Sequence, residues 1–376
     1  LIGCAARELC EETGLLEVSE GHAREISPAD LTSLQRVLSE HGKSREAFGS
    51  FLEQRGLSID ASRFRMAARF ITPSFSGIRF DTTFFLVESK DEPVVIPGEL
   101  VSGAWRCPAG VLEEWRAGKV RVSPPVIDIL EALAGHPLEE AIEALRAIPP
   151  DYEGSGIAVR AAPGYDIVPL ETPPLPPEIP TNTFLVGWKR FVVIDPAPRR
   201  EEQRKHLFDV IDRRREAGDD LLAVVLTHHH PDHVGALDAV VDRYRSPVWA
   251  HAITGYFLGR ELNRELSDGD EVDLGADPGG RDGWVLRALF TPGHAEGHLV
   301  FHDERSRSLI AGDLVSTLVS MYVGSPGGNL REYFASLERI RELAVETLYP
   351  SHGTSSRDPA KLIDDTVSEF GRLDIM

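Results

Sequence analysis

The run Thr227-His228-His229-His230-Pro231-Asp232-His233 gathers four imidazoles and a carboxylate directly after an apolar stretch, residues 221–226. A strand that runs into a loop is a place where side chains can converge on a ligand. His228 and His230, two apart in extended backbone, point to the same side. Asp232 and His233 follow closely enough to serve a second metal a few ångströms away. Mixed imidazole and carboxylate donors suit Zn²⁺, Mn²⁺ or Fe²⁺. The only cysteines are Cys4, Cys10 and Cys107, so the thiolates of a structural zinc site are missing from this region.

Three further segments end in the same way. His294 follows Phe290-Thr291-Pro292-Gly293, Asp313 follows Ile310-Ala311-Gly312, and His352 follows Leu348-Tyr349-Pro350-Ser351. In each, an apolar strand runs into Gly or Pro and then into a residue able to bind a metal. One histidine at a strand end is more often a core or surface residue than a ligand. Four such segments in one chain supply what a two-metal centre needs.

The elements that must hold these residues follow from periodicity. Strands are expected at residues 183–186, 191–194, 221–226, 247–250, 285–290, 298–302 and 308–311. Helices are expected at 201–216, after Gly235, and at 330–343. Strands alternating with helices predict helices packed on sheets, an α/β arrangement. The loop pattern His-x-His-x-Asp-His, followed by a His, an Asp and a last His, resembles the metallo-β-lactamase superfamily of hydrolases. All seven positions match, between His228 and His352.

That resemblance implies an αββα sandwich over residues 151–376. It also implies one metal held by His228, His230 and His294, a second held by Asp232, His233 and His352, and Asp313 bridging the two. Asp195, in Val-Ile-Asp-Pro, matches the family's early strand-end Asp and is expected to orient a ligand loop rather than bind metal. The succession Thr-Pro-Gly-His, Ala-Gly-Asp, Ser-His-Gly is similar to the glyoxalase II and RNA-processing branches. True β-lactamases usually carry Cys where Asp313 stands, which argues against antibiotic hydrolysis. The implied chemistry is attack by a metal-bridging hydroxide, with Asp232 as the catalytic residue that orients the water or passes its proton. The bond would be a thioester, of acyl-CoA or S-acylglutathione type, or a phosphodiester. The alternatives are a single-stranded RNA endonuclease of the lactamase-like family and a non-catalytic ligand-binding protein with a vestigial site.

Near the start, Arg7-Glu8-Leu9-Cys10-Glu11-Glu12-Thr13-Gly14-Leu15 matches the second half of the Nudix box. On a helix Glu8, Glu11 and Glu12 share one face, where Mg²⁺ bridging to a diphosphate is the natural partner. The segments Arg69-Phe70-Ile71-Thr72-Pro73 and Arg79-Phe80-Asp81-Thr82-Thr83-Phe84-Phe85 are similar to the coenzyme A diphosphatase-like Nudix group. The resemblance implies a Nudix-like α/β/α sandwich over residues 1–150, an α+β element beside the α/β one. The box is incomplete, because its upstream Glu would fall ahead of residue 1. Such a domain would cleave diphosphates, bind a nucleotide-like ligand, or dock its neighbour. Pro149-Pro150 and Gly154-Ser155-Gly156 mark the junction, and the Pro-rich stretch 173–180 reads as a loop between strands.

A chain of 376 residues suggests about two domains. Three cysteines exclude a disulfide framework and fit a reducing cytoplasm. A net charge of −20 disfavours a nucleic-acid partner and favours a small-molecule substrate. No apolar run is long enough to span a bilayer and no basic-then-apolar leader opens the sequence, so no membrane partner is expected. Among the other histidines, His229 is expected to point away from the site and His251 to line the cleft mouth. His298 and His302 are expected to alternate on a strand, and His22, His41, His136 and His206 to lie at the surface.

Overall fold

Apolar residues at 66–68 and 70–71, and β-branched and aromatic residues over 81–86, set a first strand pair in a region otherwise patterned for helix. The computed structural model describes residues 1–19, 26–40, 44–72, 78–96, 100–150, 158–172, 180–324 and 327–373. The chain divides into two units: residues 1–70, 81–111 and 128–150, and residues 71–80, 112–127 and 151–376. The junction segment Gly154-Ser155-Gly156 and most of the Pro-rich stretch lie outside the described residues, as do His22 and His41.

In the first unit, α1 (Ile2–Thr13) stops at Gly14, whose left-handed φ of 69° lets its N–H close on the Cys10 carbonyl. Helix α2 (Pro28–Leu38) opens with a capping box between Ser27 and Asp30, and α3 (Ser44–Gln54) follows. Ala6, Cys10, Leu34, Leu38, Phe48 and Phe64 form the core between them. Strands β1 (Arg65–Ile71) and β2 (Asp81–Leu86) pair with each other. Helices α4 (Pro108–Arg116), α5 (Pro124–Gly135) and α6 (Leu138–Arg146) complete the N-terminal 150 residues. The expected three-layer α/β/α sandwich is not completed there: among the described residues the one sheet has two strands. Between β2 and α4 the described residues include Pro93 and Gly103, which resist strand pairing.

The second unit holds two sheets. One runs in the order β3 (Val159–Ala162), β4 (Tyr165–Glu171), β5 (Pro180–Gly187), β6 (Arg190–Ile194), β7 (Asp220–Val225), β8 (Val248–Ala250) and β9 (Arg264–Glu265). The other runs β10 (Glu271–Gly275), β11 (Trp284–Phe290), β12 (Leu299–Asp303), β13 (Ser308–Gly312) and β14 (Thr347–Pro350). Phe184, Val186, Ile194 and Val225 of the first sheet share a core with Leu286, Phe301, Ile310 and Tyr349 of the second. The opposite face of the first sheet, with Leu185, Val193 and Val224, is covered by α7 (Glu201–Glu216) and α9 (Leu237–Tyr244). The opposite face of the second, with Val300, Leu309 and Leu348, is covered by α11 (Leu330–Arg341) and α12 (Pro359–Leu373). Two short helices, α8 (Pro231–Val234) and α10 (Ala252–Leu258), sit in the connections of the first sheet. The layers are therefore α, β, β, α. Strands buried on both faces explain why the central sequences read as unbroken apolar runs.

Strands β6 and β7 are parallel, as are β13 and β14, and β11 runs in the direction of β13 through antiparallel β12. Residues 195, 228, 294, 313 and 352 each follow the C-terminal end of one of these strands. Two backbone bonds join the sheets at that edge: Leu299 N–H to the Thr227 carbonyl (2.9 Å) and Asn182 N–H to the Ser351 carbonyl (2.7 Å). Strands β3, β4, β9 and β10 and helices α10 and α12 go beyond the elements expected from periodicity.

Candidate metal centre

After β7 the buried residues Leu226 and Thr227 carry extended backbone to His228. His230 (φ −63°, ψ 147°) precedes the single helical turn α8, with Pro231 at its first position, and that turn brings Asp232 and His233 back towards His228. The rings of His228 and His230 lie 4.5 Å apart between centroids, those of His228 and His233 4.1 Å, and those of His230 and His294 4.7 Å. Two glycines make the remaining approaches possible. At Gly293 (φ 129°) a Cβ would stand 2.2 Å from the Tyr333 nitrogen, and at Gly312 (φ 53°) one would stand 2.5 Å from His298 Nε2. Only glycine fits these positions, which seat His294 and Asp313 against the core.

All seven residues named from the sequence come together. Among the described residues two clusters have donor atoms close enough to share an ion: His228, His230, His294 and Asp313, and Asp232, His233 and His352. Asp313 reaches both. Its Oδ2 is 3.4 Å from His294 Nε2, while its Oδ1 is 3.2 Å from His233 Nε2 and 3.4 Å from His352 Nε2. Asp232 Oδ2 lies 3.5 Å from His352 Nε2 and 3.9 Å from His233 Nε2. His228 Nε2, His233 Nε2 and Asp313 Oδ1 are buried polar atoms without a hydrogen-bond partner, apart from the approach of the His233 and His352 Nε2 atoms to Asp313 Oδ1. Buried polar atoms left in this way are costly in a folded protein unless something else meets them. A pair of cations fits that requirement.

In four of the five rings the other nitrogen is held. His294 Nδ1 donates to the Tyr322 carbonyl (2.9 Å) and His352 Nδ1 to the Pro180 carbonyl (3.2 Å). Asp195, fully buried and at φ 53°, accepts from Thr227 N–H (2.8 Å), Thr227 Oγ1 (2.6 Å) and His233 Nδ1 (2.9 Å). Because the Thr227 hydroxyl donates to Asp195, it accepts from His228 Nδ1 (2.9 Å). The network thus fixes the tautomers that turn bare Nε2 atoms inward.

Sequence reasoning missed two supports. Asn182 Nδ2 donates to the Pro350 and Gly353 carbonyls (both 2.9 Å), tying down the loop that carries His352. His298 is fully buried, precedes β12 rather than alternating along it, accepts the Asp313 N–H at Nε2 (3.1 Å) and donates from Nδ1 to Thr291 (2.9 Å). Its place at the start of the strand beside the one that leads into Asp313 leaves no signal in sequence spacing. His206, expected at the surface, is buried under α7. Its position among Leu207, Val210 and Ile211 on that helix was the available cue. His229 stacks on Phe257 at 4.3 Å, and His251 caps α10 and stacks on Phe290 at 4.6 Å.

Charge divides the cluster. Burial, reinforced by neighbouring imidazoles, lowers the pKa of His228 well below the usual histidine value and presses His230 down to about 3. Burial does the same to His294, and takes His298 to about 3. For His233 burial is outweighed by the carboxylates of Asp313, Asp232 and Asp195, which raise it well above its ordinary value. His352 rises to about 10 against the pull of burial, through Asp313 and Asp232. Burial opposes ionisation of Asp313, yet His233 and His352 hold it well below the ordinary carboxylate range; Asp232 is lowered for similar reasons.

The helix α1 does carry Glu8, Glu11 and Glu12, but these glutamates are not among the clusters that converge on a common point. Arg7 forms ion pairs with both Glu8 and Glu11.

Residues 176–352 match the family model described as the metallo-beta-lactamase superfamily, so the C-terminal part of the chain carries a domain of that superfamily. Among curated relatives, a lactamase-like protein, adaB, of Aspergillus niger is 32% identical over 187 residues, covering 48% of this chain and 53% of that one. A hydroxyacylglutathione hydrolase of Gloeobacter violaceus is 32% identical over 165 residues, covering 41% of this chain and 55% of that one. The chain thus spans about half the length of the curated relatives it matches. A solved beta-lactamase domain protein from Burkholderia ambifaria, 23% identical, shares the fold with a TM-score of 0.50 over 58% of this chain and 77% of that one. No helix among the described residues is long and apolar enough to cross a membrane.

Proposed function

We propose that the second unit is a metal-dependent hydrolase of acyl thioesters with a two-metal centre. The observation that carries the reading is the convergence of His228, His230, His294, Asp232, His233, Asp313 and His352, with bare buried nitrogens facing one another. His228, His230 and His294 would hold one ion, Asp232, His233 and His352 the other, and Asp313 would serve both. Zinc, manganese and iron all suit this donor set. When bound, the ions supply an acidified water and stabilise the negative charge that develops on a carbonyl under attack.

The chain's own residues do the rest. Thr227, Asp195 and the Tyr322 and Pro180 carbonyls hold four imidazoles in the tautomer that leaves Nε2 free. Asp232 has 16% of its side chain open to solvent, against 6% for Asp313, so its Oδ2 is the carboxylate oxygen able to take a proton from incoming water and release it. Its lowered pKa keeps it anionic and ready to accept. Support for a thioester comes from the hydroxyacylglutathione hydrolase relatives and from the absence of a cysteine at position 313.

The test is a substrate panel with the purified, metal-loaded chain: S-lactoylglutathione, an acyl-CoA and single-stranded RNA. Thioester cleavage that Asp232→Asn reduces by about 10²-fold or more is expected. Cleavage of RNA alone would assign the centre to phosphodiesters. Turnover of nothing by a protein holding two metal equivalents would mark a ligand-binding role instead.

A further inference from the structure

At the far edge of the sandwich from the metal centre lies a cavity of about 420 Å³, formed within the second unit. Strand register places it there. Phe290 and Leu299 pair beside the metal-facing loops, whereas Trp284, Asp303, Ser308 and Thr347, which line the cavity, stand at the opposite ends of β11, β12, β13 and β14. The seven residues of β11 set the two sites roughly 20 Å apart.

Among the described residues six arginines line this cavity: Arg116, Arg121, Arg281, Arg305, Arg307 and Arg357. Three carboxylates accompany them. Asp277 is shared by Arg281 (2.8 Å) and Arg305 (3.0 Å), and Glu346 by Arg307 (2.5 Å) and Arg121 (3.6 Å). Asp303 is buried and accepts from neutral donors: Tyr165 Oη (2.8 Å), Trp284 Nε1 (2.8 Å) and Ser306 Oγ (2.7 Å). Among the described lining residues guanidiniums outnumber carboxylates, in a chain whose net charge is −20. Like charges held around a concave wall repel one another and focus potential for an anion.

We propose that this cavity binds a small soluble polyanion bearing two or more phosphate groups, such as a nucleoside diphosphate. Planar guanidiniums meet phosphate oxygens in pairs, and a lining in which they outnumber carboxylates suits the negative charge of such a ligand. The volume falls within the range of small-molecule sites. An extended phosphodiester polymer is opposed by the acidic balance of the chain.

Pyrophosphate and ADP are titrated into the full chain, with adenosine as the uncharged control, by calorimetry and by tryptophan fluorescence, since Trp115 and Trp284 line the cavity. Binding of both phosphates at one per chain, with a change in fluorescence and no binding of adenosine, is expected. The double reversal Arg121→Glu with Arg357→Glu, at two exposed positions, should weaken binding about tenfold or more and leave the melting temperature unchanged. Diphosphates also chelate metals, so His228→Ala is titrated in parallel and should bind as the parent does. Three results overturn the proposal: no binding at millimolar concentration, an affinity indifferent to the double reversal, or binding lost in His228→Ala.

Discussion

Replacing Asp195 with Asn isolates the contribution of one buried carboxylate. Asp195 sits at φ 53°, a conformation Asn tolerates, so the backbone is not strained by the change as it would be by Ala. One oxygen accepts from Thr227 N–H and survives as the amide oxygen. The other faces two donors, Thr227 Oγ1 and His233 Nδ1, and becomes an NH₂ group. To escape that clash His233 must carry its proton on Nε2, the atom 3.2 Å from Asp313 and needed bare for a metal. A hydrogen bond to a charged acceptor is worth about 1.5–3 kcal/mol. Loss of a carboxylate partner behind a ligating histidine typically costs 10–100-fold in metal affinity, about 1.4–2.7 kcal/mol. The two routes agree. Chelator competition followed by elemental analysis should show the variant giving up one of two metals at about 10–100-fold lower chelator, while the second is retained longer. Unchanged chelator midpoints, or equal loss of both ions, would refute the claim that Asp195 acts through His233.

His298→Ala removes the buried acceptor of the Asp313 N–H; the orphaned donor should cost about 1–3 kcal/mol, seen as a lowered melting temperature of the metal-free protein. His298→Gln, which can offer an oxygen in the same direction, should recover part of the loss, and equal melting of all three proteins would remove His298 from the site's framework. For pH dependence, the folded pKa values of His233 and His352 are raised, so in the metal-free protein their protonated forms contribute stability fully below pH 6.5. That of His352 is lost as pH rises through about 10. Metal must displace these protons, so loading at pH 7 should release about two per chain, measurable by calorimetry in buffers of different ionisation enthalpy. Uptake without proton release would show that the two rings are already neutral.

Much of the second unit was legible because its chemistry and its punctuation coincide. His294, Asp313 and His352 each follow an apolar strand and a Gly or Pro, and Gly293 and Gly312 prove to stand where any side chain would collide. Helix α7 was readable to its ends at 201 and 216, because acidic residues open it and three arginines close it. Strands β3 and β4 were not, since Gly164 breaks the pattern between them and the pairing partner of β4, β5, lies beyond a Pro-rich stretch. His298 and Asn182 escaped for a different reason. Their work is done on backbone atoms at positions 313, 350 and 353, and nothing in residue spacing marks a partner on another strand. In the N-terminal unit the nine-residue motif match falls on α1 and its C-terminal Gly14, where Arg7 pairs with two of the three glutamates, Glu8 and Glu11. Motif identity there carried less than convergence did elsewhere.

The division of charge within the centre bears on how the two halves work. His228, His230 and His294 are driven towards neutrality by burial and by one another, so that side offers lone pairs without needing a proton to leave. His233 and His352 face Asp313 and Asp232, and there the protons stand in for positive charge that the carboxylates require. A cation entering the first group meets little competition, whereas one entering the second must displace protons held by two acids. Metal affinity on the His233 side should therefore fall more steeply with acidity than on the His228 side. Since Asp232, the more solvent-open acid, belongs to the steeper side, the same protons that weaken metal binding there also block the carboxylate oxygen that must accept one from water.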